Sequence, residues 1–243
     1  FTYYYNGQAN SFCLEATNGD VTYSLNSKDK VVVSDDCTPD GLVMWLRMNG
    51  NANDSSGNGY NGTVSAATLT TGQDGQANSA YSFNGISGTS IAVGGLPNLE
   101  KSSITVTAWF QTINIGDKKI VSTIPGSHFL QITQSGSSGV MRTCLASAPT
   151  SGCTFGTINR SDNIWHFAAA IGDTNGVKVY VDGQSVPEVT LSIGGVGSAG
   201  TSIRIGSDGS GIYNFLGKID DVRIYNRSLA TSELQTLYLA GAQ

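Results

Sequence analysis

The densest collection of oxygen-bearing side chains in this chain is the run Asn49-Gly50-Asn51-Ala52-Asn53-Asp54-Ser55-Ser56-Gly57-Asn58. It is too rich in Asn and Gly for a strand, and a calcium ion takes six to eight oxygens, many of them backbone carbonyls of such a loop. The plainer reading of the same residues is a set of Asx turns in which Asp54 and Asn58 bond their own backbone. Acid catalysis finds less support. The four glutamates, Glu15, Glu100, Glu188 and Glu233, are scattered, whereas glycan cleavage needs two carboxylates flanking one bond. Asp220-Asp221 is the one neighbouring acidic pair near the end of the chain. Strict strand alternation predicts that its members point to opposite faces. A Ser or Cys hydrolase needs a histidine with an orienting acid. His128 and His166 are the only histidines, neither accompanies a G-x-S-x-G turn, and both read as packing or surface residues. The glycine runs near 194–200 and 206–211 precede no helical pattern, so they read as hairpin turns rather than phosphate cradles.

The elements that would position these groups follow from composition. The chain has 243 residues, a net charge of −5, 13% charged residues and 31 glycines. An acidic chain lacks the basic face that phosphate recognition needs, which argues against nucleic acid as a partner. Polarity carried by Ser, Thr, Asn and Gly suits short strands and many tight turns, and excludes long charged helices. No apolar run of about 18 residues is present. Eleven segments after Gly41 read as strands, separated by turn residues at intervals of about ten, which is the pattern of a sandwich rather than of βαβ units. In Ser103–Gln111 the residues Ile104, Val106, Ala108 and Phe110 share one face, and Thr105, Thr107, Trp109 and Gln111 the other. Trp109 is therefore the aromatic residue expected on an exposed sheet, a stacking platform for a sugar ring, whereas Trp45 and Trp165 lie in apolar runs and are expected in the core. Asp182-Gly183 after the Val177, Val179, Val181 face is a hairpin signal. Only the tail is helical: Ala230, Leu234 and Leu237 follow the helical period, and Gly241 is placed to end it.

Four cysteines allow three pairings, none with C-x-x-C metal spacing. The favoured pairs are Cys144 with Cys153, which closes a short Ser/Gly/Pro loop between two strand-like runs, and Cys13 with Cys37, which closes a stretch with little core of its own. Both imply an oxidising compartment. Four buried free thiols are the alternative. Residues 1–40 read as a separate small unit of β-rich runs at Phe1–Tyr5, Ser11–Ala16, Val21–Leu25 and Val31–Val33. The turn Thr38-Pro39-Asp40-Gly41 is the boundary to a domain spanning 41–243.

Four segments in order, LVMWLRMNGNANDSSGNGYNGTV, SAYSFNG, NIWHFAAAIGDTNGVKVYVDGQSV and IRIGSDGSGIYNFLGKIDDVRIYNRSLATSELQTLY, resemble the LamG-like subgroup of the concanavalin A-like jelly rolls. The resemblance implies an all-β, two-sheet antiparallel jelly-roll sandwich with a small disulfide-stapled β appendage at its start and a short helix at its end. It implies a calcium ion between an aspartate of the Asn-rich loop and the first aspartate of the I-D-D-V strand, which carries over onto Asp54 and Asp220. Asn51 and the Asn84-Gly85 turn are expected to add oxygens. One departure is Ala230, where the family places a Ser that caps the final helix; Thr231 or Ser228 is expected to substitute.

The first 40 residues, YYYNG, SFCLEATNG, VTYSL and the paired cysteines, resemble the β region that follows the long apolar helix of type IV pilins and pseudopilins. That helix is not in this sequence, which implies the soluble part of a subunit whose membrane contact runs through the missing helix. Together these resemblances imply an extracellular or pilus-displayed adhesin-like binding module, not an enzyme. Its partner is expected to be a glycan or a cell-surface protein, with other pilin subunits as neighbours. A structural pilus subunit with no ligand of its own is the alternative. Tyr213 and Asn214, in the loop before the I-D-D-V strand, are further expected ligand contacts.

Overall fold

In the computed structural model, the described residues are 2–4, 13–18, 21–26, 32–33, 41–97, 103–114, 116–124, 128–135, 138–145, 152–192 and 201–241. The chain divides into two compact units, Phe1–Leu42 and Val43–Gln243. In the first, strands β1 (Thr2–Tyr4), β2 (Cys13–Asn18), β3 (Val21–Asn26) and β4 (Val32–Val33) form an antiparallel meander in sequence order. The expected Cys13–Cys37 bridge lies outside the described residues.

The second unit is an all-β sandwich. One sheet runs β17 (Val189–Leu191), β16 (Gly176–Val181), β15 (His166–Asp173), β10 (Ser103–Gln111), β19 (Leu216–Tyr225), β8 (Ala80–Asn84) and β7 (Thr68–Thr70), with β5 (Leu42–Leu46) also pairing with β19. The other runs β14 (Gly152–Asn159), β13 (Ser138–Leu145), β12 (His128–Ser135), β11 (Lys118–Ile124), β18 (Ser202–Ile205), β9 (Ser90–Val93) and β6 (Thr63–Ser65). Each sheet contributes alternate residues to one apolar core: Ile104, Val106, Ala108 and Phe110 from β10 meet Ile203 and Ile205 from β18 and Met141 from β13. This is the period-two pattern legible in the sequence, and its burial drives the two layers together. Cys144 and Cys153 are direct register partners on β13 and β14 and are disulfide-bonded, with Cα atoms 4.1 Å apart.

Helix α1 (Thr231–Gly241) covers the outer face of the first sheet. Trp109 stacks on Tyr238 with ring centroids 5.6 Å apart, and Phe167 lies 5.5 Å from Trp109. Glycine lets the helix seat this closely: a Cβ at Gly241 would meet the Trp109 indole at 2.7 Å, and one at Gly183 would meet the Tyr238 ring at 2.7 Å. The helix start is capped differently from expectation. Glu233, at the third helical position, reaches back to accept from the Ala230 N–H (2.7 Å) and pairs with Arg227 (2.6 Å), the reciprocal half of a capping box.

The pairing of β10 with β19 slips by one residue. Thr107 faces Arg223 and Trp109 faces Asp220, so Asp221 and Val222 stand opposite Ala108 alone. Asp221 has φ of +46°, the left-handed conformation that Asp tolerates better than most side chains. Ile219, Val222 and Ile224 enter the core, so Asp220 and Asp221 both face away from it. The expected opposite orientation of this pair is corrected by the bulge, which inserts one residue into the alternation.

Asp221 uses that orientation to hold Arg223 in two bonds (2.8 and 3.0 Å) and to accept from the Trp45 indole N–H. Arg223 and Arg47 lie over the Trp45 ring at 4.2 and 3.9 Å. Trp45 is thus buried in a polar second layer outside the core. Replacing Asp221 with alanine strands the buried Arg223 guanidinium, and urea unfolding is expected to register a loss of about 3–5 kcal/mol; a change below about 1 kcal/mol, the level of an exposed pair, would contradict the assignment.

Candidate functional site

The Asn-rich run folds into a loop organised by Asp54. Its Oδ1 accepts from the N–H groups of Trp45 (2.9 Å) and Ser56 (2.9 Å), and its Oδ2 from Ser56 Oγ (2.8 Å) and Tyr60 N–H (2.9 Å). Asn61 Oδ1 accepts from the Asp54 N–H at 2.8 Å. Four donors occupy the carboxylate, which fits the Asx-turn reading of this residue. Asn51 Oδ1 accepts from Asn53 N–H (2.8 Å), and Asn84 Oδ1 from Ile86 N–H (2.9 Å) and Thr89 Oγ1 (2.7 Å). The bonds of Asp54 and Asp220 share no partner.

Asp220 lies in a different setting, 3% exposed. Its Oδ2 accepts from Gln73 N–H (3.1 Å) and its Oδ1 from Asp221 N–H (2.8 Å). Burial is the main force raising its pKa to about 8; the bond from Gln73 opposes the rise, and the charges of Asp221 and Asp74 add to it. The loop across it is close. A Cβ at Gly72 would meet Asp220 Oδ2 at 2.6 Å and Ser79 Oγ at 2.2 Å. Ser79 Oγ donates to Asp74 Oδ1 at 2.9 Å, and the Gln73 side-chain oxygen is buried without a hydrogen-bond partner. The Asn-rich loop abuts this segment where Gly50 N–H donates to Asn78 O (2.7 Å). No group of three or more His, Cys, Asp or Glu side chains among the described residues is arranged to hold a metal. Oxygen from carboxylates, amides and backbone carbonyls is ordinary calcium chemistry, and the buried Asp220 carboxylate and the buried, unpartnered Gln73 amide oxygen are groups of that kind.

The remaining expected contacts separate. Trp109 is 3% exposed, a correction to its place as the exposed aromatic. The alternation put it on the right face, and the tail helix then roofed that face. Trp165 is half-buried rather than in the core. Asn214 is buried and spends its amide inside its own loop, accepting from Ser207 Oγ (3.2 Å) and donating to Gly211 O (2.9 Å). Tyr213 is half-buried, with the Lys119 ammonium 4.4 Å from its ring centroid.

His166 is buried in an ionic chain that the sequence did not reveal, because its members lie on three separate segments. Its Nδ1 lies 2.9 Å from Asp182 and its Nε2 3.1 Å from Asp162. Asp182 also accepts from Arg160 (3.0 Å) and from Phe167 N–H (3.1 Å), and Arg160 binds Glu188 (2.7 Å). Both ring nitrogens are committed to carboxylates and neither faces a nucleophile. The side chain of His128 lies outside the described residues.

Residues 83–235 match the family described as the Concanavalin A-like lectin/glucanases superfamily. That match covers more than half of the sequence, and the chain belongs to this superfamily. Solved structures of similar fold include the binding domain of Paraclostridial Mosquitocidal Protein 1 (TM-score 0.62, 19% identity, 82% of this chain and 52% of that one). Domain 4 of AbnA, a GH43 extracellular arabinanase from Geobacillus stearothermophilus solved with arabinotriose, is similar over nearly its whole length (TM-score 0.61, 22% identity, 81% of this chain and 98% of that one). The binding domain of botulinum neurotoxin DC in complex with SialylT gives a TM-score of 0.60 at 13% identity, over 83% of this chain and 52% of that one. The chain thus spans about half the length of the two toxin binding domains. No curated protein matches it in sequence.

The His166 chain makes stability depend on pH. Burial opposes the charged ring, but the hydrogen bonds and charges of Asp182 and Asp162 outweigh it and raise its pKa. The stabilisation is fully present below the unfolded value of about 6.5 and is lost as pH rises through the raised folded value. Thermal melts of wild type and His166→Gln are expected to lie furthest apart at acidic pH and to converge under alkaline conditions; a constant gap would show that folding does not shift the ring's pKa.

Proposed function

We propose that the sandwich is a non-catalytic module that recognises glycans at a cell surface. The observation that carries this reading is the state of its acids. Asp54, Asp182, Asp221, Glu188 and Glu233 are each tied up in bonds to backbone, arginine or tryptophan groups. None of these is poised as half of an acid pair of the kind glycan cleavage uses. Family membership and the arabinotriose and SialylT complexes of structurally similar domains support a sugar as the ligand, by analogy of fold. The amino-terminal motifs YYYNG and SFCLEATNG support display on a pilus-like carrier, with pilin subunits as further partners. A glycan array probed with the whole chain is expected to give reproducible binding to a restricted set of sugars; a blank array together with unaltered attachment of cells lacking the gene would overturn the reading.

A structural calcium ion belongs to the same proposal. Asp220 would anchor it, with Asp74, Gln73 and the abutting Asn49–Asp54 loop, including Asn51 and Asp54, forming its surroundings. The ion would supply positive charge to a buried carboxylate and tie β19 to the loops before β8. At a hundredfold excess over its Kd, calcium is expected to add about 2.7 kcal/mol of stability, seen as a higher melting midpoint that EDTA reverses and that Asp220→Asn abolishes. An unchanged midpoint with metal-free purified protein would exclude it.

A further inference from the structure

The two sheets are covered unequally. Among the described residues the only helix lies on the first sheet, against Trp109 and Gly183. On the second sheet, four strands place Lys119, Gln131, Arg142 and Phe155 in one continuous register line. With strands ~4.8 Å apart, that line runs about 14 Å across the sheet. Met141, beside Arg142 in the chain, enters the core, and Phe155 is 46% exposed, so Arg142 and Phe155, with the Lys119 that Asp117 joins to Arg142, lie on the outer side.

Its polar groups are fixed rather than loose. Asp117 bridges the two cations, accepting from Arg142 Nη1 at 2.7 Å and Lys119 Nζ at 3.2 Å. Arg142 also reaches Cys153 Sγ (3.0 Å), so the Cys144–Cys153 bridge braces it from the side, and its guanidinium lies 5.1 Å from the Phe155 ring centroid. Lys119 is itself buried, and burial lowers its pKa against the opposing pull of Asp117. It positions Asp117 and caps the Tyr213 ring from 4.4 Å. What the face offers a ligand is therefore Phe155 at one end, Tyr213 at the other, and between them a part-exposed carboxylate and guanidinium already aligned with each other.

We propose that this line is the sugar-binding platform, and that its ligand is a neutral, linear oligosaccharide laid across β14, β13, β12 and β11. The inference rests on the glycan-binding reading above and adds the site and the ligand class. Ring faces stack on the apolar side of pyranose or furanose rings. A sugar bearing neighbouring hydroxyls can donate to Asp117 and accept from Arg142 at once. Charge decides against an acidic sugar. Along the line itself Lys119 and Arg142 are balanced by Asp117 and by Asp208, whose charge also acts on Lys119, so these groups carry no net positive charge to compensate a carboxylate or sulfate.

The test uses the whole chain with neutral arabino-, xylo- and cello-oligosaccharides beside sialylated and sulfated ones, read by calorimetry. Phe155→Ala and the near-isosteric Asp117→Asn are each expected to weaken neutral-sugar binding roughly tenfold or more, with far-UV circular dichroism unchanged. Lys178→Ala on the roofed sheet should leave it intact. Raising ionic strength to about 1 M, where screening acts within ~3 Å, should change it little. Sugar binding that survives both platform variants would overturn the site while leaving the glycan-binding function standing. Binding confined to acidic sugars and lost in salt would overturn the ligand class, and no binding to any sugar would overturn both readings together.

Discussion

The domain depends on one extra residue in its central strand. β19 lies between β10 and β8 and also pairs with β5, so a change in its alternation is felt by three neighbours. Because Asp221 occupies a left-handed turn of backbone there, two consecutive acids emerge on one side of the sheet. Like charges so close would repel in that buried setting, and the two resolve it differently. Asp221 is paired with Arg223 at 2.8 Å, whereas burial raises the pKa of Asp220 to about 8. A group that resists ionisation in the apo protein becomes a strong ligand once a cation arrives, since the metal replaces the proton. The bulge thus links the packing of Trp45 to the proposed calcium position.

Much of the architecture was legible because burial on one face imposes a period of two. The strands of β10, β15, β16 and β19 and the pairing of Cys144 with Cys153 follow from alternation and turn chemistry. Three features were not legible, each for a nonlocal reason. Trp109 looked exposed because its cover, α1, comes more than a hundred residues later. The acids at 220 and 221 looked opposed because a bulge leaves no mark in composition; Asp is simply compatible with it. The His166 chain draws on Asp162, Asp182, Arg160 and Glu188, whose convergence depends on how the β15–β16 hairpin meets the strands beside it.

The Asn-rich loop teaches a related point. Its oxygens invited a metal, yet Asp54, Asn51 and Asn84 turn their side chains on their own backbone. Short amides and carboxylates close loops as readily as they bind ions, and the choice shows only in which lone pairs remain open. The side-chain oxygen of Gln73, whose backbone N–H donates to Asp220, is buried with no hydrogen-bond partner. The loop touches the 72–79 segment where Gly50 N–H donates to Asn78 O.

The unequal covering of the two sheets separates upkeep from recognition. On the roofed side, aromatic rings, glycines and the helix are interlocked, so substitutions there must preserve shape. The opposite side carries outward residues such as Phe155 that contribute little to the shared core. Descendants of this sequence can therefore diversify that surface strand by strand, acquiring new targets while inheriting an unchanged foundation.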